Sequence, residues 1–209
     1  MAGILIISPH ADDETLGCFG VLSNKIYIDG GQQRIIILCA DEPHKAKTID
    51  GIAKKYKWRM ERLGFKDASF DTMDFGEIVS ILSKKMNNFF SLDTIYFPYL
   101  YDAHTDHQII SRAVLAATKT FRMPDVKEMY MYEIISQTEY ATVPFQPNSF
   151  IDISGNMKEK LRTVEKYKTE LGKHPFPRSL KSVEALATLR GSLAGCKYAE
   201  AFIKTKEIR

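Results

Sequence analysis

Cysteine is scarce in this sequence: Cys18, Cys39 and Cys196 are the three cysteines among 209 residues. An odd number of cysteines without a CxxC spacing gives neither a disulfide framework nor a thiolate zinc site. We therefore expect each cysteine to be reduced and to pack as a small apolar side chain.

Long hydrophobic runs and a strong excess of charge are missing as well. The first residues, MAGILIISPHADD, contain no basic leader and reach an acidic residue after a short apolar run. This pattern does not fit a secretory signal or a membrane span. The net charge of +3 is too small to indicate a nucleic-acid partner. We expect a cytoplasmic protein with no membrane span and no nucleic-acid partner; a homo-oligomer is compatible with the sequence.

Neither GxGxxG nor GxxxxGK[ST] follows a strand-like run in the sequence. Their absence counts against a dinucleotide-binding or nucleoside-triphosphate-binding domain. A nucleotide-binding or regulatory α/β domain, in which an acidic turn only caps a helix, stays as the less favoured hypothesis.

Short apolar runs alternate with helical patterns over the first part of the chain. Gly3–Ser8 (GILIIS) and Arg34–Ala40 (RIIILCA) are continuous β-branched and aliphatic runs, which are typical of strands buried on both faces of a parallel sheet. Glu14–Tyr27 lies between them and has helical spacing. The alternation continues with predicted helices at Thr48–Leu63, Gly76–Phe90 and Gln108–Thr120, and predicted strands at Ala68–Met73 and Asp93–Pro98. The pattern predicts an α/β fold, with a Rossmann-like, mostly parallel sheet and helices on both faces.

The pattern changes after Pro124. We predict strands at Val126–Ile134 and Phe150–Ile153, followed by helices at Asn156–Leu171 and Ser179–Lys204. With no repeat, low-complexity tract or linker in the sequence, residues 1–209 are expected to form a single domain.

Two polar clusters follow predicted strands: PHADDE at residues 9–14 and DAHTDH at residues 102–107. Ligands of open parallel sheets bind at the carboxyl ends of the strands. A catalytic zinc site needs three protein ligands and an open position. His10 and Asp13 can converge in a tight turn, and a histidine of the second cluster would complete the set. Asp12 would then lie beside the metal-bound water; a site of two histidines and one aspartate can also hold Fe²⁺.

Each cluster alone has an ordinary explanation. Acidic residues at a helix start stabilise its first turn by about 0.3–1 kcal/mol each. Histidines before a helix are common on protein surfaces. The occurrence of both clusters at the ends of predicted strands favours the metal site.

These motifs resemble those of a known family. PHADDE followed by Gly17, with HTDH at residues 104–107, is similar to the signatures of the LmbE/PIG-L zinc-dependent N-acetylglucosaminyl deacetylases. Arg190-Gly191 and Tyr198–Phe202 (YAEAF) resemble the closing pattern of that family.

The resemblance implies a role for each motif residue. His10, Asp13 and His107 would bind one zinc ion per chain, and Asp12 would be the general base. His104 would polarise the carbonyl and stabilise the oxyanion, with Asp106 placed to orient or charge it. Either Asp12 or His104 could protonate the departing amine.

The implied reaction is hydrolysis of an N-acetyl (N-acyl) group on an amino sugar or a GlcNAc-containing conjugate, by zinc-activated water with an aspartate base. The substrate would be a small amino-sugar molecule. The alternative is an amidase that acts on a different amide, such as a thiol conjugate or an antibiotic intermediate.

Substrate-binding residues are less well defined. The arginine that many family members place before HxDH is Ala103 here, and Arg59, Glu61 and Arg62 do not align with the family's other binding positions. Arg178 and Tyr101 are weaker candidates for contacting the sugar. A basic face, expected to be solvated, comprises Lys45, Lys47, Lys54, Lys55 and Lys57.

Overall fold

Strands and helices alternate through most of the chain in a computed structural model that describes residues 3–23, 31–89 and 91–208. The strands are β1 Gly3–Ser8, β2 Gln33–Asp41, β3 Arg59–Lys66, β4 Leu92–Pro98, β5 Glu128–Tyr132, β6 Ser149–Asp152 and β7 Ala199–Glu207. The helices are α1 Asp13–Ser23, α2 Pro43–Tyr56, α3 Phe75–Asn87, α4 Thr105–Ala117, α5 Met157–Val164 and α6 Leu180–Ala194.

All of these strands belong to one seven-stranded sheet in the order β3-β2-β1-β4-β5-β7-β6. Strands β1 to β5 pair in parallel, and β7 runs antiparallel to both β5 and β6. The chain leaves β1 in one direction through β2 and β3, and then returns to β1 on its other side through β4. This reversal of strand order brings the loops that follow β1 and β4 together, at the position where open parallel sheets bind ligands.

Helices cover both faces of the sheet, as the sequence predicted. Helices α1, α2, α5 and α6 pack on the face that carries Ile4 and Ile6 of β1. Helices α3 and α4 pack on the face that carries Leu5 and Ile7. Every residue of β1 is buried, which explains its unbroken apolar run.

The prediction for residues 48–73 was wrong in its boundaries. The helix is α2, which begins at Pro43 and ends at Tyr56, before Lys57 in the left-handed conformation (φ 56°). The next strand is β3, Arg59–Lys66, instead of Ala68–Met73. Because β3 is an edge strand with largely exposed side chains, its sequence has a helix-like composition, and pairing with β2 determines its conformation.

The predicted C-terminal helices were too long. Helix α6 ends at Ala194, before Gly195 in the left-handed conformation (φ 76°). Residues Ala199–Glu207 form β7, which pairs with β5 and β6. Helix α5 ends at Val164, and the rest of that prediction contains only a short 3₁₀ turn at Lys168–Glu170. Residues 24–27 of the first predicted helix lie outside the described residues.

None of the helices within residues 3–23, 31–89 and 91–208 has both the length and the apolar character that a membrane crossing requires. The cytoplasmic location and the single domain over residues 1–209 stay predictions.

The C-terminal motif residues have packing roles. Arg190 donates two hydrogen bonds to the carboxylate of Glu133, at the end of β5. Glu200 accepts from Lys160 at 2.7 Å and from the N–H of Gly20 at 2.9 Å. These contacts attach α6 to the end of β5, and β7 to helices α5 and α1.

Gly191 provides a test of this packing. A Cβ atom at this position would lie 2.7 Å from the backbone carbonyl of Lys197, which cannot move without shifting the start of β7. We expect Gly191→Ala to lower the free energy of unfolding by about 1–3 kcal/mol. Gly51→Ala is the control: Gly51 is in α2 with open space around it, so alanine should add about 0.5–1 kcal/mol. Urea denaturation measures both changes, and equal stability of the two variants would contradict the packing described.

Candidate metal centre

Three side chains from the loops after β1 and β4 converge in the interior. Asp13 Oδ2 lies 3.1 Å from His107 Nε2 and 3.5 Å from His10 Nδ1, and the two imidazole nitrogens are 3.3 Å apart. Asp13 and His107 are fully buried, and His10 is 6% exposed. The structure therefore brings together the three residues predicted as metal ligands.

The spacing of these donor atoms suits a tetrahedral ion. Ligand atoms at bond lengths of about 2.0–2.1 Å and tetrahedral angles around zinc lie about 3.3–3.4 Å apart. Among the described side chains, Asp12 Oδ1 and Asp13 Oδ1 are buried carboxylate oxygens that accept no hydrogen bond. A buried anionic oxygen without a donor is costly, and a cation compensates it. The residues therefore fit a zinc ion.

A second group, His10, His104 and Asp106, also has donor atoms close together. Its His104 is only partly buried, whereas all three members of the first group are buried. The group of His10, Asp13 and His107 is the better candidate.

A carboxylate lies beside the second ring nitrogen of each imidazole, the one that points away from the triangle. Asp106 Oδ2 lies 3.2 Å from His10 Nε2, and Asp102 Oδ2 lies 3.4 Å from His107 Nδ1. Such contacts fix ring orientation and make the inner nitrogen a stronger ligand. The expected contact between the Asp106 carboxylate and His104 is not the one formed, because α4 directs this side chain towards His10.

Nearby carboxylates favour the protonated, positively charged forms of His10 and His107. Burial alone would lower the pKa of His10, but hydrogen bonds to Asp106 and Asp13 and their charge raise it to about 10. Burial likewise opposes protonation of His107, but Asp13 and Asp102 raise its pKa to about 9. The same histidines hold the pKa of Asp13 well below its usual range against the effect of burial. The raised pKa values favour protonated imidazoles in the metal-free protein.

His104 differs from these two histidines. Burial and the positive charge of His107 and His10 lower its pKa. Its Nδ1 accepts the N–H of Asp106 at 3.2 Å, so the proton of the neutral ring is on Nε2. Asp13 and Asp106 act in the opposite direction and raise the pKa of His104. The role of Asp106 in orienting or charging His104 therefore stays a prediction. The His104 ring lies in the cleft wall.

Asp12 has an unusual backbone for a non-glycine residue, with φ at 131°. A residue in such a region costs roughly 1–3 kcal/mol and is retained where its surroundings hold it. Here the Asp12 N–H donates to Glu14 Oε2 at 3.0 Å, and its carbonyl accepts from Leu16 at 2.8 Å. Buried Glu14 also accepts from the Tyr167 hydroxyl. Glu14 thus stabilises the turn that presents Asp12.

A ring of charged side chains surrounds Asp12. The N–H of Ala11 donates to Glu42 Oε2 at 2.7 Å, and Glu42 Oε1 pairs with Lys45 Nζ at 2.6 Å. Glu170 lies 3.4 Å from Lys45 and 3.2 Å from Arg178 Nη1.

Arg178 completes this ring, because its Nη1 donates a hydrogen bond to Asp12 Oδ2 at 3.0 Å. Burial and the charge of Asp13 raise the pKa of Asp12 to about 8, whereas Lys45 and Arg178 act to lower it. Both cations therefore favour the ionised form of Asp12.

This constellation forms the wall of a cleft of ≈ 540 Å³, within the range of small-molecule sites. His10, Asp12, His104 and Arg178 all line it. Tyr101 lies outside the cleft, 46% exposed, with its ring beside Tyr99.

Of the predicted basic face, Lys47, Lys54, Lys55 and Lys57 are exposed, but Lys45 is buried in the cleft wall. The expectation for Lys45 was wrong because Glu42 and Glu170 turn its ammonium group inward.

A sequence profile for GlcNAc-PI de-N-acetylases (PIG-L) matches residues 5–118, more than half of the chain. This segment contains both motifs and all three candidate ligands. The chain belongs to the PIG-L family. The resemblance predicted from PHADDE and HTDH is thereby confirmed.

Several known proteins are similar to this PIG-L family member at low identity. Diacetylchitobiose deacetylase of Thermococcus kodakarensis is 24% identical over 221 residues, which cover 94% of this chain and 80% of the relative. The N,N'-diacetylchitobiose deacetylase structure from Pyrococcus horikoshii has a TM-score of 0.77 at 19% identity, covering 98% and 84% of the two chains. The 4-carboxy-2-hydroxymuconate hydratase of Pseudomonas putida has a TM-score of 0.75 at 15% identity, covering 100% and 98%. The fold therefore supports more than one reaction, and the site residues must indicate which.

Several residues of this site carried no recognisable signal in the sequence. Glu42, Asp67 and Glu170 line the cleft, and Asp67 Oδ1 lies 3.2 Å from His10 Nε2. They come from separate loops and helix ends, so their sequence spacing has no pattern. Asp102 was visible within DAHTDH, but its contact with His107 depends on the three-dimensional path of that loop.

Metal binding should release protons. We expect both ligand imidazoles to be protonated in the metal-free protein at pH 7, because their pKa values are raised to about 10 and about 9. Each must lose its proton to bind a metal. We expect about two protons per Zn²⁺ and an affinity that rises with pH up to about 9–10. Calorimetric titration in two buffers of different ionisation enthalpy measures this number. His44→Gln, at the exposed cleft rim, is the control, and binding without proton release would contradict the charge state described.

Proposed function

We propose that this protein is a zinc-dependent N-deacetylase that hydrolyses the N-acetyl group of an amino sugar or a GlcNAc-containing conjugate. The observation that carries the proposal is the triangle of His10, Asp13 and His107 in a cleft that also presents Asp12 and His104. Membership of a family described by de-N-acetylation supports it, as do the deacetylases among the similar proteins.

His10, Asp13 and His107 would hold the ion. A zinc ion in this position supplies a Lewis acid for the acetamide carbonyl and lowers the pKa of coordinated water. Asp102 and Asp106 keep the two imidazoles in the orientation that binding needs. Fe²⁺ is the alternative ion, and metal analysis of protein purified with and without air separates the two.

Asp12 is the proposed general base. Its carboxylate lines the cleft, and Oδ1 has no donor among the described residues, so it can accept the proton of the attacking water. Arg178 and Lys45 favour its ionised form. The strained turn around Asp12 keeps the carboxylate in this position.

His104 is the proposed oxyanion donor. With Nδ1 accepting a backbone N–H, the Nε2–H group is the one that can donate to the carbonyl oxygen as negative charge develops there. The lowered pKa favours the neutral ring, whose remaining proton is the one on Nε2. Asp12, which receives a proton from water, then returns it to the departing amine, so that the proton count balances.

Hydrolysis of a different amide is the alternative within the same chemistry. A panel containing N-acetylglucosamine, N,N'-diacetylchitobiose and N-acetylated thiol conjugates, assayed for acetate release, separates the two. Acetate release from a sugar supports the proposal, and turnover of the other amides alone contradicts it.

Replacement of the base tests the mechanism. Asp12→Asn should lower kcat by about 10²–10⁴-fold because the general base is lost, whereas the zinc content stays near one per chain. His104→Gln should lower kcat by about 10²–10³-fold, as loss of an oxyanion donor does elsewhere. Asp71→Asn, at an exposed position, is the matched control. Full activity of Asp12→Asn with bound zinc would reject Asp12 as the base.

Arg178 should set the acidic limb of the pH–rate profile. The guanidinium lowers the pKa of Asp12, and a base must be ionised to act. Arg178→Gln therefore raises this pKa, and the acidic limb moves to higher pH; Arg178→Lys keeps the charge and should move it less. The measurement is kcat/KM against pH for the zinc-loaded proteins. Identical limbs in wild type and Arg178→Gln would contradict the coupling.

A further inference from the structure

Two exposed aromatic side chains lie at the mouth of the cleft. Tyr140 is 67% exposed and Phe176 is 46% exposed, and both line the same cleft as His10, Asp12 and His104. Large aromatic side chains normally bury much of their surface on folding. The proposed deacetylation assigns no role to these two exposed rings, although they line the same cleft as His10, Asp12 and His104.

The surroundings of Phe176 hold its ring in place. A Cβ atom on Gly172 would lie 2.6 Å from the Phe176 ring, so the ring packs directly against the glycine backbone. The N–H of Phe176 also donates to the carbonyl of Lys173 at 2.9 Å. The ring is thus supported by the chain behind it while part of its surface remains open to the cleft.

The charges of the cleft disfavour an anionic ligand. Lys45 pairs with Glu42 and Glu170, and Arg178 pairs with Asp12 and Glu170. Both side chains are largely buried, with Lys45 6% and Arg178 14% exposed. A phosphate would have to displace these carboxylates.

Other side chains of the cleft wall also disfavour an anionic ligand. Asp67, 47% exposed, adds a negative charge to the cleft wall, and His44 lies 3.9 Å from Glu170. Gln137 and Thr169, which line the cleft together with Tyr140 and Phe176, are neutral. Aromatic rings beside neutral hydrogen-bonding groups suit a ring with apolar C–H faces and hydroxyl edges.

We propose that Tyr140 and Phe176 form a subsite for a second, uncharged sugar ring, next to the N-acetyl sugar that reacts. This inference rests on the proposed function, because it deepens the substrate class: a neutral di- or oligosaccharide, or a neutral glycoside, instead of a phosphorylated sugar. The apolar face of the second ring packs on the aromatic pair, and its hydroxyl groups face the neutral polar side chains.

Three substrates test the subsite: N,N'-diacetylchitobiose, N-acetylglucosamine, and N-acetylglucosamine 1-phosphate, in which an anion replaces the second ring. We expect the zinc-loaded protein to have its highest kcat/KM for the disaccharide. Tyr140→Ala and Phe176→Ala should each lower that value by about five- to tenfold, mainly through KM, as loss of partly buried aromatic surface does. Their kcat/KM for N-acetylglucosamine should stay at the wild-type value.

Matched variants locate the effect. Phe121→Ala removes a 78% exposed ring outside the cleft and should change none of the three values. Tyr101→Ala tests the aromatic residue that the sequence suggested, and a loss confined to this variant would overturn the assignment to Tyr140 and Phe176. Wild-type disaccharide activity in both cleft variants, or a preference for the 1-phosphate, would also overturn it.

Direct binding separates failure of the subsite from failure of the proposed function. Saturation-transfer NMR of N,N'-diacetylchitobiose with the zinc-loaded protein reports contact whether or not acetate is released. If no substrate is hydrolysed but the disaccharide signal falls in Tyr140→Ala and Phe176→Ala, the deacetylase proposal fails and the subsite is supported. If the disaccharide does not bind, or if it binds equally to wild type, Tyr140→Ala and Phe176→Ala, the subsite assignment is overturned.

Discussion

The buried carboxylate of Asp13 is the constraint on which the candidate site depends. Its Oδ2 accepts the backbone N–H of His10 at 3.0 Å and lies 3.1 Å from His107 Nε2. A fully buried charge costs several kcal/mol unless a partner compensates it. Two protonated imidazoles provide that compensation without metal, and a divalent cation provides it with neutral imidazoles. The loop after β4 is thus bound electrostatically to the loop after β1.

The groups around this carboxylate have separate tasks because their environments differ. Asp12, on a strained backbone, is buried in the cleft wall and accepts a hydrogen bond from Arg178. The pKa of His104 is lowered by burial and by the positive charge of His107 and His10. Glu14, buried beneath the turn, accepts hydrogen bonds from the chain itself. Adjacent residues of one short motif therefore differ in function because each meets a different partner from elsewhere in the fold.

The central strands β1, β2 and β4 and the short edge strand β6 were predictable, whereas β3 and β7 were not. Strands β1, β2 and β4 are buried on both faces, so their apolar runs identify them in the sequence. Strands β3 and β7 contain many Glu, Lys and Arg residues and read as helix, because an edge or partly exposed strand needs no apolar run. Hydrogen bonding to neighbouring strands determines their conformation, and that information is distant in the sequence.

The sequence alone determined the family of this protein. It also predicted the main site residues, because two short motifs at strand ends contain them: His10, Asp12, Asp13, His104 and His107. Only the tertiary structure placed Asp106 on His10 and Arg178 on Asp12, and showed the cleft that Tyr140 and Phe176 border. The physical reason is separation along the chain. Motif residues share one turn, whereas the charged ring and the aromatic pair come from segments that meet only when helices and loops pack over the sheet.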